Sequence, residues 1–427
     1  MIIKKTAPDN GIPKKRSAAS DDFSSELIKE LNKEAESKIA FNLADDDAPT
    51  SIKRWIRTGS RQLDSILSNK RVGGLPEGRV VEIQGPASCH PAGTKVLMYD
   101  GSTRNVEDVR VGDRLMGPDN QSRKVLRLAR GKDLMYDVVR PNGEKFTVNQ
   151  NHILSLQRAK GGHKKNGQRK GKTLIGEITD IKVSDYLLRS KNYKKEHMLY
   201  KPKGFMEFHN GHDSKKQLPV DPYILGLLLG DGSLASKRIE LTTADKEIVC
   251  EFKKFVEAQG CFMKKHAKKG NIASGYYINT GRNNGGVSLK VEDLNPIRVM
   301  LRKLNLLNTL SGDKFVPFGY KTASPKNRLQ LLAGLIDTDG HLDRKNNKYE
   351  YSSKSKQLAE DVGFVCHSLG FKATTKIKKI NGTSYYRLYI SGTGDLIPTR
   401  LPRKQAKNIE MRTDTSLSGF RLVKKSI

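Results

Sequence analysis

Two stretches of this chain are apolar on nearly every side and match each other: Ile224-Leu-Gly-Leu-Leu-Leu-Gly-Asp231-Gly232 and Leu332-Ala-Gly-Leu-Ile-Asp-Thr-Asp339-Gly340. A helix with no polar face must be buried all round. The match extends downstream in one register: Thr242, Thr243, Lys246, Gly260, Ser274 and Tyr276 pair with Ser352, Ser353, Lys356, Gly370, Ser384 and Tyr386, each 110 positions on, while the two aspartates stand 108 apart. This is an internal repeat, and it requires two copies of one folding unit. Small residues recur at i and i+4 in both stretches (Gly226 and Gly230; Gly334 and Thr338), which lets two helix backbones approach closely. Each stretch ends in Asp-Gly, where the glycine is expected to leave the helix through a left-handed cap. If the helices cross about a pseudo-two-fold axis, Asp231 and Asp339 meet at one end. Adjacent carboxylates repel unless divalent cations lie between them, and such a cluster suits in-line phosphodiester hydrolysis. One Asp-Gly alone would read as a turn; two on matching apolar helices read as a metal site.

The charge balance points to the same partner. The chain has 78 Lys and Arg against 46 Asp and Glu, a formal net charge of +32. The excess is spread along most of the sequence, so a polyanion, most simply nucleic acid, is expected rather than one solvated tail. The four cysteines (Cys89, Cys250, Cys261, Cys366) fall in no metal-ligand spacing and suit a reducing compartment. No apolar run is long enough to span a bilayer and no apolar signal core opens the chain, so a cytoplasmic protein without membrane contact is expected.

Upstream of the repeat the pattern changes several times. Phe23, Leu27 and Leu31 recur at helical spacing after Ser20-Asp21-Asp22. Residues 42–49 read as a linker, and 79–84 as a buried strand running into Gly85-Pro86-Ala87-Ser88. Those four begin a phosphate-binding loop, G-x-x-x-x-G-K-[ST], whose glycines let backbone N–H groups cradle phosphates. The loop never reaches its Gly-Lys: Cys89-His90-Pro91 follows instead. From Cys89 to about residue 157, short strand patterns alternate with turn signals (Asp100-Gly101, Gly117-Pro118-Asp119-Asn120, Pro141-Asn-Gly143), the signature of a small all-β domain. A basic glycine-lysine loop at 158–173 and further strand and helix pieces at 174–206 precede the mixed region of about 215–405.

Three family resemblances follow from these residues. Leu332 to Gly340 resembles the LAGLIDADG homing endonuclease motif almost letter for letter; the first copy resembles it loosely, with Leu229 in place of the first acid and Asp231 kept. The resemblance implies a monomer of two pseudo-symmetric αββαββα halves, each laying a β-ribbon in the DNA major groove, with Mg²⁺ at Asp231 and Asp339. Asp313-Lys314-Phe-Val-Pro317 matches the segment in which intein-borne members carry a catalytic lysine, so Lys314 is implied, and a second basic residue should lie near Arg403 and Lys404. Lys376, Lys378, Lys379, Arg387, Arg403 and Lys404 are the expected DNA contacts. Residues 58–67 and 73–86 resemble the start of a RecA-type recombinase ATPase, a phage-like one most nearly. Cys89, Gly93-Thr94, Val106–Asp113 and Thr147-Val-Asn149-Gln-Asn-His152 resemble the N-terminal blocks of an intein, the self-splicing Hint fold.

The intein resemblance implies a mechanism. Cys89 attacks the carbonyl of Ser88 and converts the scissile Ser88–Cys89 peptide to a thioester. His152 is the implied proton donor, with a near-neutral pKa suited to the task. Asn149 stands where the family usually has threonine and can still hydrogen-bond the scissile amide. The expected architecture is therefore multidomain: 1–88, a fragment of an α/β RecA-like ATPase; 89–206, an all-β Hint horseshoe; 207–404, an α+β LAGLIDADG endonuclease; and 405–427, the start of a further Hint segment. The last intein blocks do not appear by residue 427, so splicing is expected to need a separate C-terminal piece, and ATP binding to follow only after splicing restores the loop. The expected target is double-stranded DNA of the uninterrupted recombinase gene. The rival expectation is a LAGLIDADG unit that has decayed to a DNA- or RNA-binding module.

Overall fold

A computed structural model of the chain describes residues 28–33, 54–56, 75–76, 89–141, 143–159, 176–202, 204–209, 218–235, 238–267, 272–280, 295–408 and 419–425. The chain divides into two compact units, Met1–Gly85 and Pro86–Ile427. In the first, residues 28–33 are helical, and Trp55–Ile56 pairs antiparallel with Leu75–Pro76. The expected strand at 79–84 and the loop residues Gly85, Pro86, Ala87 and Ser88 lie outside the described residues.

The second unit begins with hairpins. β1 (Lys95–Leu97) pairs with β2 (Thr103–Asn105), and β3 (Arg114–Met116) with β4 (Ser122–Lys124). The turn of the first carries Gly101 at φ 86° and that of the second Asn120 at φ 61°, left-handed conformations that glycine and asparagine adopt most readily. β5 (Met135–Val139) pairs with β6 (Lys145–Asn149), and β18 (Arg421–Lys424), from the far end of the chain, adds to the free edge of β5. β7 (Ile153–Arg158) is flanked by β8 (Ile178–Lys182) and β9 (His197–Leu199), with two short helices, α1 (Val183–Leu188) and α2 (Lys191–Glu196), between those strands. Alternate residues of β5 to β8 (Val138, Val148, Leu154, Leu156, Ile181) point inward with Val183 and Tyr186, and Phe420 and Leu422 pack on them.

The repeat folds into two copies of one topology. In the first copy, α3 (Pro222–Asp231) leads to β10 (Gly232–Ser233), β11 (Glu240–Thr243), α4 (Lys246–Ala258), β12 (Phe262–Ala267), β13 (Ser274–Asn279) and α5 (Pro296–Lys303). After the single turn α6 (Phe318–Lys321), the second runs α7 (Pro325–Asp339), β14 (Gly340–Asp343), β15 (Lys348–Ser353), α8 (Lys356–Ser368), β16 (Lys372–Ile380) and β17 (Thr383–Ser391). The sheet orders are the same, β10-β11-β13-β12 and β14-β15-β17-β16. The copies differ at their ends, where a 3₁₀ turn at Pro402–Lys404 replaces a helix like α5.

Both long helices start on strong local signals. Asp221 caps α3 by accepting from the N–H groups of Tyr223 and Ile224, Ser324 caps α7 by accepting from Asn327 N–H, and Pro222 and Pro325 sit in the first turn, where a missing N–H costs nothing. The two helices pack together through their glycines. A Cβ on Gly226 would stand 2.4 Å from Leu331 O, one on Gly334 2.2 Å from Tyr223 O, and one on Gly230 2.0 Å from Thr338 Oγ1. Any side chain there would force the backbones apart. The expected left-handed caps do not form: Gly232 (φ −81°) and Gly340 (φ −93°) leave their helices extended. Glycine is needed there for a different reason, since a Cβ would meet the preceding turn at 2.3 Å from Leu228 O or 2.6 Å from Ile336 O.

Residues 201–202 and 204–209 link the β domain to the second copy. Asn120 Nδ2 donates to Phe205 O at 2.9 Å, and His209 stacks on Tyr99. On the other side Met206 N donates to Ser368 O, and Lys201 Nζ to Gly370 O. The fully buried Arg328 of α7 donates to Met206 O, Ser368 Oγ and Ala323 O and faces the Phe208 ring, so its charge is met by carbonyls, a hydroxyl and a π-face. Among the described residues no helix is long and apolar enough to cross a membrane.

Candidate functional site

Two clusters bring the sequence-derived residues together. The first surrounds Cys89, which is half-buried. Its backbone N–H, the amide nitrogen of the Ser88–Cys89 bond, donates to Asn149 Oδ1 at 3.0 Å, and its carbonyl accepts from Asn149 N–H at 3.1 Å. Asn149, the last residue of β6, is 2% exposed. Its Nδ2 donates to Asp133 Oδ2 at 2.9 Å. Asp133 lies two residues before Met135, the β5 residue that faces Asn149 in the β5–β6 register, and also accepts from Gln150 Nε2 (2.8 Å), Asn151 Nδ2 (3.2 Å) and Leu134 N–H (2.7 Å). Nothing in the sequence motif marked Asp133; the usable signal was Asn149 itself, whose NH₂ needs an acceptor that a threonine would not.

His152 stands beside this network, with its ring 4.8 Å from that of His90, edge to face. His90 Nδ1 lies 3.3 Å from Thr147 O. The near-neutral pKa expected of His152 is not what the fold produces. Burial, and secondarily the neighbouring His90, pushes it down to about 4. The imidazole is therefore neutral at pH 7, a proton acceptor before it is a donor.

The second cluster lies at the C-terminal ends of α3 and α7, where Asp231 and Asp339 meet. Asp339 Oδ2 lies against Gly230 of the opposite helix, 3.2 Å from where a Cβ would be. Both carboxylates open to solvent on one side and stand against dense protein on the other. That partial loss of water raises both pKa values; for Asp339 the repulsion of Asp231 adds to it, and the result is about 7. Beneath them are two buried lysines. Lys314 Nζ donates to the carbonyls of Leu228, Leu229, Gly230 and Gly232 at 2.7–3.1 Å, and Lys404 Nζ to those of Ile336, Asp337 and Thr338 at 2.8–3.1 Å. The first three carbonyls of each set correspond in the repeat, so each lysine caps the end of one helix and neutralises its negative pole. Burial lowers both amines, Lys314 to about 8, against the opposing pull of Asp339 and Asp231 on Lys314 and of Asp337 on Lys404.

The copies are not identical around this centre. Where the first has Leu229, the second has Asp337, 1% exposed, which accepts from Tyr223 Oη at 2.9 Å and from Arg400 N–H at 2.7 Å. It ties α3 to the segment that carries Lys404, a structural duty the motif alone did not reveal. Asp361 does the same in front of Lys314, accepting from Val316 N–H and Lys321 Nζ.

The expected DNA contacts divide. On β16 and β17, Lys376 is paired with Arg387 and Lys378 with Tyr385, so Lys376, Lys378 and Arg387 share the sheet face opposite the helices, with Tyr385 and Tyr389. Lys379 alternates to the other face. Lys404, 8% exposed with its ammonium on helix carbonyls, cannot reach a phosphate, and Arg403 is held by both oxygens of Asp245 at 2.6 and 2.7 Å. In the first copy Lys264 and His266 occupy the face corresponding to that of Lys376 and Lys378, paired with Tyr277 and Gly275.

The family model described as Hom_end-associated Hint matches residues 89–210, and that of the LAGLIDADG-like domain matches 326–397. The chain thus carries a Hint-associated domain followed by a LAGLIDADG-like domain. Among curated proteins it is 28% identical over 167 residues to the replicative DNA helicase DnaB of Mycobacterium intracellulare, covering 39% of this chain and 22% of that protein. It is 22% identical over 443 residues to the catalytic subunit of the V-type proton ATPase of Candida tropicalis, covering 79% of this chain and 41% of that one. The chain therefore spans less than half the length of either relative. Among solved structures, a mesophilic variant of the homing endonuclease I-DmoI aligns with 17% identity over 41% of this chain and 89% of its own, at a TM-score of 0.29. The N-terminal LAGLIDADG domain of WhiA aligns with 11% identity over 42% of this chain and 81% of its own, at 0.28. Scores this low leave the architecture resting on the strand orders and helix pairing described above.

Proposed function

We propose that this chain is an intein-bearing precursor with two activities: an N–S acyl shift at the Ser88–Cys89 bond, and metal-dependent cleavage of double-stranded DNA by the paired repeats. The observation that carries the first is the 3.0 Å hydrogen bond from the scissile amide N–H to Asn149 Oδ1. In the shift, neutral His152 takes the Cys89 thiol proton and the thiolate adds to the Ser88 carbonyl carbon. The C–N bond then breaks, the proton passes from His152 to the departing nitrogen, and a thioester remains. An acceptor on that N–H binds the protonated nitrogen of the intermediate more strongly than the neutral amide, which lowers the barrier. Release of the thioester to the downstream chain requires a C-terminal intein segment, supplied as a separate piece in the trans-splicing form of the proposal. Joining the flanks would complete the Gly85 loop for ATP in a RecA-like host.

For the second activity, the residues fit a divalent cation, Mg²⁺ in this proposal. The carboxylates of Asp231 and Asp339 are the groups that would hold it; among the described residues no group of three or more His, Cys, Asp or Glu could hold a metal. Mg²⁺ is commonly held by one or two carboxylates together with phosphate oxygens and water. When bound, the cation would supply charge neutralisation at the phosphate and a more acidic water. The chain's own part is to hold the two carboxylates together on the glycine-packed helices and to present Lys376, Lys378 and Arg387 to the duplex as one monomer. The test is incubation with Mg²⁺ and the uninterrupted host gene, expected to give one double-strand cut. Binding without a cut would favour the second reading, a decayed DNA- or RNA-binding module. One observation favours that reading: Lys314 and Lys404 both give their ammonium protons to helix carbonyls.

A further inference from the structure

Asn149 has a carboxamide where a hydroxyl would suffice, and a carboxamide has two ends. The Cys89 N–H can only donate and the Asp133 carboxylate can only accept. Asn149 meets both in one orientation alone, Oδ1 on Cys89 N at 3.0 Å and Nδ2 on Asp133 Oδ2 at 2.9 Å. Turned over, its NH₂ would face the amide N–H and its oxygen the carboxylate, two repulsive contacts in place of two bonds. Asp133 is itself held: Leu134 N–H and Gln150 Nε2 donate to Oδ1, and Asn151 Nδ2 shares Oδ2. All four donors are neutral amides, and a hydrogen bond from Nδ2 to a carboxylate polarises the Asn149 amide, making Oδ1 a better acceptor.

We propose that Asp133 is a positioning residue for the acyl shift: it fixes the Asn149 carboxamide with its oxygen on the scissile N–H. It acts on the scissile amide only through Asn149. The inference rests on the acyl-shift reading above, and it makes a demand that a structural carboxylate would not. Its importance must depend on which residue stands at 149. A threonine hydroxyl rotates to accept from the amide without any anchor, so in an Asn149→Thr background Asp133 becomes dispensable.

The experiment is a double-mutant cycle on the whole chain. Wild type, Asp133→Ala, Asn149→Thr and the double variant are incubated with excess dithiothreitol, and the rate of release of residues 1–88 is read by intact mass. With Asn149 present, Asp133→Ala is expected to slow release about tenfold, the cost of an unsatisfied and unoriented amide. In the Asn149→Thr background the same change is expected to alter the rate by less than about twofold. Asp133→Asn, whose own amide oxygen can accept from Asn149 Nδ2, is expected to recover part of the loss. It carries the same comparison if the alanine variant fails to fold. An unchanged rate in the Asn149 background, or equal slowing in both, would overturn the role of Asp133 while leaving the acyl shift standing. A wild-type chain that releases nothing, like Cys89→Ala, would overturn the acyl shift and this inference with it.

Discussion

At the junction, a single carboxylate, Asp133, faces side-chain amides and a backbone N–H, and the histidine beside them is kept neutral. At the helix ends, two carboxylates are pressed together above two buried lysines, and all four charges are displaced from their ordinary pKa values. The difference follows from what each has to hold. In the proposed acyl shift the junction would act on an uncharged peptide bond of its own chain, which calls for hydrogen-bonding groups in fixed orientation. The helix ends would act on an anion from outside, so they keep a carboxylate pair whose repulsion a cation relieves. In this proposal one centre would work by orientation, the other by stored charge.

If the two centres are separate, each can be removed alone. Cys89→Ala should abolish thiol-induced release completely and leave DNA cleavage unchanged. Asp339→Asn should lower cleavage by at least about a thousandfold, as expected when a metal-holding charge is lost, and leave release unchanged. Cross-effects in gel and mass assays of both variants would break the comparison.

The next effect is on stability. Gly334→Val places a Cβ where the structure leaves 2.2 Å to Tyr223 O, and relief requires the helix backbones to part. Overpacking of this kind costs about 1–3 kcal/mol or more, so a chemical-denaturation midpoint well below that of wild type is expected.

The smallest effects distinguish the centres by sign. Asp339 binds its proton more tightly folded than unfolded, so its contribution to stability falls as pH rises from about 4 to about 7. Without divalent cation, Asp339→Asn should therefore melt above wild type at pH 8, and the gap should close toward pH 4. Solvent access to the side chain limits the gap to on the order of 1 kcal/mol, about 2–4 °C. His152 behaves oppositely. Its folded pKa of about 4 lies below the unfolded value, so its contribution rises with pH between about 4 and 6.5, and His152→Gln should remove that slope. Melting curves of both variants across this pH range read the two signs directly.

The repeat made the helix pair and its two aspartates legible, because a duplicated apolar helix ending in Asp-Gly has few other uses. The strand and turn pattern likewise gave the hairpins around Gly101 and Asn120. What sequence did not reveal depends on pairing across the fold. Asp133 is meaningful only because β5 and β6 bring it beside Asn149. The burial of Lys404, the ties of Asp337 and Asp361, and the polar partners of Arg328 are contacts over 40 to 122 residues of chain, invisible to any local spacing. At Gly232 and Gly340 a left-handed cap and steric fit against the preceding turn both call for glycine, so residue type alone does not separate the two.

The most direct test is intact mass after incubation of the whole chain with excess dithiothreitol, beside Cys89→Ala. Loss of a fragment ending at Ser88 is expected from the wild type alone. A wild-type mass left unchanged, like that of Cys89→Ala, would contradict the acyl shift.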